Sequence, residues 1–112
     1  MATKIISVHA TCKTLKEAKK IAKEAVKEGL AACANVHKVD SFYSWEGKME
    51  NHGEWEISFK TTDGAFLDLE RKIRQLSGYE MPAIIALPIE HAGKEYEKWV
   101  RESVKLRFAG YG

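Results

Sequence analysis

The alternation of strand-like and helical periodicities is the feature of this sequence that most constrains its fold. Stretches rich in β-branched and aromatic residues are separated by stretches whose apolar residues recur every three or four positions, as in amphipathic helices. The resulting order is β-α-β-β-α-β, followed by one further short helix. The predicted strands are Lys4–Thr11, Ala31–Val36 continuing as Val39–Trp45, Glu54–Thr61 and Ala83–Ile89, and the predicted helices run from Thr14 to Gly29, from Thr62 or Asp63 to Gly78, and around Tyr96, Trp99, Val100 and Val104.

Local sequence signals support these boundaries. Thr14 and Glu17 form a capping-box pattern, in which each side chain accepts a hydrogen bond from the backbone N–H of the other residue. Gly29 favours a left-handed helix stop, and Gly47 predicts a tight hairpin turn. Apolar and polar residues alternate strictly along Glu54–Thr61, which predicts a strand with one face towards the core.

This order predicts an α+β fold of the ferredoxin-like, split βαβ type. Right-handed crossovers place both main helices on one face of an antiparallel sheet, so the other face meets water or a partner. Aromatic residues concentrated between Phe42 and Phe59 favour a partner, because large exposed apolar patches are rare on monomers. The continuous apolar run Ala83–Ile89 predicts a buried strand, and Pro88 indicates an edge or a bulge. We expect residues 1–112 to form one domain with a loosely ordered tail at 105–112.

Composition excludes several classes of protein. Hydrophobic residues make up 45% of the chain and charged residues 30%, which is typical of a globular domain rather than a disordered or fibrous one. The 18 Lys and Arg nearly balance the 16 Asp and Glu and do not cluster, so nucleic-acid binding is not favoured. Two cysteines are too few for a disulfide scaffold, and the N-terminus lacks a signal-peptide pattern. No segment resembles a membrane span, and we expect a cytoplasmic protein.

Several stretches together resemble the CutA family of divalent-cation tolerance proteins. The match extends from the first predicted strand to Val104, and the aromatic block around Trp45 beside the alanine-rich block around Cys33 is its most specific part. The matching stretches are Gly29-Leu30-Ala31-Ala32-Cys33-Ala34-Asn35-Val36, Ser41-Phe42-Tyr43-Ser44-Trp45-Glu46-Gly47-Lys48-Met49-Glu50, Lys60-Thr61-Thr62, Gly78-Tyr79-Glu80-Met81-Pro82-Ala83-Ile84-Ile85-Ala86-Leu87-Pro88-Ile89, and Tyr96 with Trp99.

The resemblance implies a stable homotrimer of ferredoxin-like subunits joined edge to edge, and a non-enzymatic role in tolerance of copper or other divalent metals. It also implies metal ligands that this chain does not retain. The family's cysteine in the first strand corresponds to about Ala10, and its His-Pro-Tyr motif corresponds to Ser77-Gly78-Tyr79. His9 and Cys12 are nearby candidates for a copper or zinc site, although their spacing on a strand places their side chains on opposite faces.

The residues around the predicted hairpin support two interpretations. Aromatic rings there either pack between subunits or line an intersubunit cleft that offers a ring, a carboxylate and an ammonium group to a small ligand. The second interpretation suits a small-effector sensor similar in fold to PII signalling proteins, whereas single-stranded nucleic-acid binding is a weaker alternative. The segment that begins at Thr61, just before the second predicted helix, predicts a simple helix cap. Cys33 is predicted to be a buried free thiol. The cleft residues are predicted to be Tyr43, Trp45, Glu46, Lys48, Lys60, Tyr79 and Glu80.

Overall fold

A computed structural model describes residues 4–105 of the protein. It contains four strands and three α-helices in the predicted order, with a short 3₁₀ turn at Asp63–Ala65 before the second helix. The strands are β1 (Ile5–Cys12), β2 (Cys33–Trp45), β3 (Lys48–Thr62) and β4 (Ile84–Pro88), and the helices are α1 (Leu15–Lys27), α2 (Phe66–Leu76) and α3 (Lys94–Ser103).

The strands form one antiparallel sheet in the order β2-β3-β1-β4. The first strand of the chain lies inside the sheet, between β3 and β4, as the split βαβ arrangement requires. The predicted α+β, ferredoxin-like fold is therefore confirmed, and β2 and β4 are the edge strands. Pro88 lies on β4, so its missing N–H falls on an edge strand, as predicted.

Helices α1 and α2 cover one face of the sheet and form the main core with it. Alternate residues of β1 and β3 point into this core, which explains why Ile57 and Phe59 are fully buried. The buried members of this cluster are Ile6, Val8, Ala10, Cys12, Ala18, Ile21, Ala25, Leu30, Ala31, Ile57, Phe59, Leu69 and Ile73.

The first helix begins with half of the predicted capping box. The Thr14 hydroxyl accepts from the Glu17 N–H at 3.2 Å, as expected for an N-cap. The predicted reciprocal bond from Glu17 is wrong, because its carboxylate accepts instead from the Gly78 N–H at 2.9 Å. The acidic side chain thus ties the start of α1 to the segment that follows α2.

Helix α3 packs against the opposite face, at the end of the sheet where β1 begins. A second buried cluster forms there from Ile5, Ala32, Ala65, Val100 and Val104. Cys33 also lies at this end, only partly buried, with its Sγ 3.3 Å from the Tyr96 hydroxyl. The prediction of a buried Cys33 is therefore wrong, because the residue lies on an edge strand and faces away from the α1–α2 core.

Three further expectations differ from the structure. The β2–β3 hairpin is longer than predicted and turns through Glu46 and Gly47, both at positive φ, 51° and 80°. Among residues 4–105, no side chain caps the 3₁₀ turn, and the buried Thr62 hydroxyl has no hydrogen-bond partner. Most of β4 is exposed rather than buried, because it is an edge strand that pairs only with β1 in the described part of the chain. Of the predicted tail, only Lys105 is described, and its N–H donates to the Gly29 carbonyl; residues 106–112 lie outside the described residues.

Candidate functional site

A cavity of about 610 Å³ lies between the distal half of the β2–β3 hairpin and the segment connecting α2 to β4. This volume lies within the range of small-molecule binding sites, roughly 300–1,000 Å³. The hairpin contributes one wall, the connecting segment contributes the opposite one, and the end of β1 closes the base. The lining residues are Thr11, Tyr43, Trp45, Glu50, His52, Glu54, Tyr79, Glu80, Met81 and Ala83.

A hydrogen bond between a partly buried tyrosine and a buried carboxylate joins the two walls. The Tyr79 hydroxyl donates to Glu54 Oε2 at 3.0 Å, and Glu54 is only 7% exposed. Burial raises the pKa of Tyr79 well above its ordinary value, and the hydrogen bond and negative charge of Glu54 raise it further. The phenol therefore stays protonated and holds the Glu54 carboxylate in one orientation at neutral pH.

Two backbone contacts fix the segment that carries Tyr79. The Tyr79 N–H donates to the Ser77 hydroxyl at 3.0 Å, and the Gly78 N–H donates to Glu17 Oε2. A Cβ at Gly78 would lie 2.7 Å from that same oxygen, so a larger residue would require the Glu17 side chain to shift. A proline at this position would lack the N–H that donates to Glu17, so the contact between this segment and the start of α1 depends on a residue other than proline.

The hairpin wall carries aromatic and acidic groups side by side. His52 Nε2 lies 3.1 Å from Glu50 Oε1, and the His52 ring lies 5.9 Å from the Tyr43 ring, centroid to centroid. Tyr43 pairs with Glu50 in the sheet register, which places the ring beside the carboxylate. Among its described lining residues, the cavity has three carboxylates and one imidazole, and neither Lys nor Arg.

The cavity includes some of the predicted cleft residues and not others. Tyr43, Trp45, Tyr79 and Glu80 line it. Glu46 is in the hairpin turn and Lys48 directly follows it; neither lines the cavity.

Lys60 lies elsewhere on the sheet. Its Nζ donates to Ser58 Oγ at 3.2 Å and to Asn35 Oδ1 at 3.5 Å. The structure therefore does not bring a predicted ammonium group to the cavity wall.

Sequence reasoning missed the acidic side of the cavity. Glu50, His52 and Glu54 occupy alternate positions on β3, so they share the face that carries Tyr43. The spacing of these three residues at every second position is visible in the sequence. However, Asn51 and Gly53 interrupt the hydrophobic alternation that identifies a strand.

The two candidate metal ligands lie on opposite faces of β1. Cys12 is buried in the α1–α2 core, where burial, followed by the charges of Glu17 and Glu54, raises the pKa of its thiol to about 12. His9 is partly buried on the other face, 3.0 Å from Ser7 Oγ. The His9 and Cys12 side chains therefore cannot bind one metal ion unless the strand unfolds.

The divalent-metal ligands that the family implies do not fit the residues present. Ala10 is a buried alanine, and neither Ser77 nor Gly78 offers an imidazole. Glu56 lies 3.1 Å from His37 Nε2 and 3.7 Å from His9 Nδ1. Even so, residues 4–105 contain no group of three or more His, Cys, Asp or Glu side chains arranged to hold a metal ion.

The fold and the site define a class of protein: a small ferredoxin-like subunit with two edge strands and an acidic, aromatic cavity at one end of its sheet. Comparison with known proteins narrows this class. The model of a family described as CutA1 divalent ion tolerance protein matches residues 6–103. The chain belongs to this CutA1 family.

Relatives and solved structures agree with this assignment. The divalent-cation tolerance protein CutA of Pyrococcus horikoshii is 36% identical over 101 residues, covering 90% of this chain and 99% of the relative. The structure described as the periplasmic divalent cation tolerance protein CutA of Archaeoglobus fulgidus matches with a TM-score of 0.88 and 35% identity, covering 90% of this chain and 99% of that one. CutA1 from Oryza sativa matches with a TM-score of 0.89 and 30% identity, covering 92% and 95%.

The described α-helices span 10 to 13 residues. Within residues 4–105, none is long and apolar enough to cross a bilayer.

Proposed function

We propose that this chain acts in tolerance of divalent cations as a non-enzymatic, cytoplasmic homotrimer. The observation that carries the proposal is the family match over residues 6–103, together with relatives whose names describe divalent-cation tolerance. Two free cysteines suit the reducing conditions of the cytoplasm. Neither the described cavity lining nor the comparisons favour a sensor of small anionic effectors or the nucleic-acid alternative, because a wall of carboxylates repels phosphates and other anions.

Exposed apolar groups on the edge strands support self-assembly. Ile85 and Leu87 of β4 are 56% and 50% exposed in the single chain, and Phe42 of β2 is also exposed. Each edge strand leaves backbone N–H and C=O groups unpaired on its outer side. Joining edges in a closed ring of subunits would pair those groups and cover the apolar side chains.

The assembly is tested by measuring the mass of the protein in solution. We expect about 38 kDa by light scattering or native mass spectrometry, three times the 12.7 kDa chain. Leu87→Glu places a charge on β4 and should reduce this mass, because burying an unpaired carboxylate costs several kcal/mol. Leu67→Glu is the matched control, since Leu67 is an exposed leucine on α2. A monomer at micromolar concentration would refute the proposed trimer.

The role in tolerance is tested in a bacterial host that lacks its own CutA protein and grows poorly with added copper. Expression of this chain should restore growth, and Leu87→Glu should restore it less than Leu67→Glu. Equilibrium dialysis against copper, with a His9→Ala/Cys12→Ala variant beside it, separates direct binding from an indirect role. Because these side chains lie on opposite faces, we expect the double variant to take up as much copper as the unaltered protein. Failure to restore growth would contradict the proposed role.

A further inference from the structure

The cavity combines aromatic walls with negative charge. Trp45 and Tyr43 lie on one side, and the carboxylates of Glu50, Glu54 and Glu80 are distributed around the lining. This imbalance is local, because the chain as a whole carries 18 Lys and Arg against 16 Asp and Glu. A ligand in this cavity therefore contacts aromatic faces and carboxylates. The described lining offers it no ammonium or guanidinium group.

We infer that the cavity binds a small organic ammonium ion with an apolar or aromatic body. Aromatic faces attract cations through their quadrupole, and Trp does so most strongly. Carboxylates held near those faces add Coulomb attraction, which is strongest where the carboxylate is shielded from water. Glu54 meets that condition, being buried and oriented by the Tyr79 hydroxyl at 3.0 Å.

The same features argue against other occupants. An anionic effector would find neither Lys nor Arg among the described lining residues. A bare metal ion needs three or more converging ligands, which the described residues do not provide. The volume of about 610 Å³ lies in the range of small-molecule sites and leaves room for a ring together with an ammonium group.

Three probes of similar shape and different charge test the inference on the assembled, full-length protein. Phenethylammonium is the cation, 2-phenylethanol is the neutral analogue and 3-phenylpropanoate is the anion. Affinities are measured by isothermal titration calorimetry at pH 7 and low salt. We expect the cation to bind at least tenfold more tightly than the alcohol, and the anion to bind weakest. The cation's affinity should fall with added salt, as charge-driven binding does.

Variants locate the binding site. Glu50→Gln and Glu80→Gln each remove one lining charge and should weaken cation binding at least threefold, and Trp45→Leu should weaken all three probes. Glu46→Gln is the matched control, because Glu46 lies in the same hairpin outside the cavity and should leave every affinity unchanged. Circular dichroism checks that each variant is folded.

Two results would overturn the inference. Equal affinity for the cation and the anion would show that the carboxylates do not select the ligand. No binding of any probe would show that the cavity is filled by a neighbouring subunit in the assembled protein. Neither result bears on the role in metal tolerance, since that proposal is tested by growth and by mass.

Discussion

The bond between Tyr79 and Glu54 offers the sharpest quantitative prediction. Tyr79→Phe removes one hydroxyl and keeps the ring, so packing around the segment changes little. Glu54, which is only 7% exposed, then loses the donor that lies 3.0 Å away. Hydrogen bonds to charged groups contribute about 1.5–3 kcal/mol, and we expect a loss of about 2 kcal/mol in the free energy of unfolding.

The assay is urea unfolding at a fixed protein concentration, because the stability of an oligomer depends on concentration. Tyr96→Phe is the matched control, since its hydroxyl contacts only the Cys33 sulfur at 3.3 Å within the described part of the chain. That bond is neutral and exposed, so its loss should cost less than about 1 kcal/mol. A double-mutant cycle with Glu54→Gln then isolates the interaction energy, which we expect to be at least about 1 kcal/mol.

The same pair predicts how stability depends on pH. Folding raises the pKa of Tyr79 above its ordinary value of 10, first through burial and then through Glu54. A raised pKa means that the native state holds the proton more tightly than the unfolded chain. The contribution is therefore complete below pH 10 and is lost as the pH rises beyond that value. Tyr79→Phe should flatten the fall in stability above pH 10, and an unchanged alkaline slope or a zero coupling energy would refute this account.

Two further predictions concern thiols and glycines. Ellman's reagent at pH 8 should label the partly exposed Cys33 and spare Cys12, because burial raises the pKa of the Cys12 thiol to about 12. Rapid labelling of both cysteines in the native protein would contradict this prediction. Gly47→Ala should cost about 1 kcal/mol from its positive φ alone, since a Cβ there meets open space. Gly29→Ala should lower the free energy of unfolding further, because its Cβ would also lie 2.8 Å from the Lys105 side chain. Equal urea midpoints for the two variants would show that the Lys105 side chain moves aside freely.

Local signals in the sequence predicted the fold well. The order of elements, the Thr14 cap and the turn at Gly47 follow from interactions within a few residues, and the structure confirms all three. The Glu17 side chain shows the limit of such reasoning. Its capping-box partner, the Thr14 N–H, lies three residues away in sequence, yet its carboxylate accepts from the Gly78 N–H, which is 61 residues distant. A local pattern cannot weigh a tertiary partner against a local one.

The cavity illustrates the same limit on a larger scale. Glu54 alternates with Trp55 and Ile57, which predicts a solvent-facing side chain. It is buried because the segment carrying Tyr79 folds over the open face of the sheet at that point. The predicted ammonium groups, Lys48 and Lys60, lie outside the cavity because they are near the two ends of β3, whereas the cavity residues of that strand lie between them.

The remaining mismatch between sequence and structure concerns β4 and bears on assembly. Ala83–Ile89 reads as a buried strand, yet Ile85 and Leu87 are half-exposed beside Ser7 and His9 in the single chain. Fully burying two such side chains stabilises a protein by about 1.5–3 kcal/mol each, which an isolated chain forgoes. A natural sequence whose local pattern disagrees with its surroundings is expected to resolve the disagreement elsewhere. Within residues 4–105 the outer side of β4 has no partner strand, and a neighbouring subunit joined there would resolve it. The proposed trimer thus rests on a conflict within the chain as well as on its relatives.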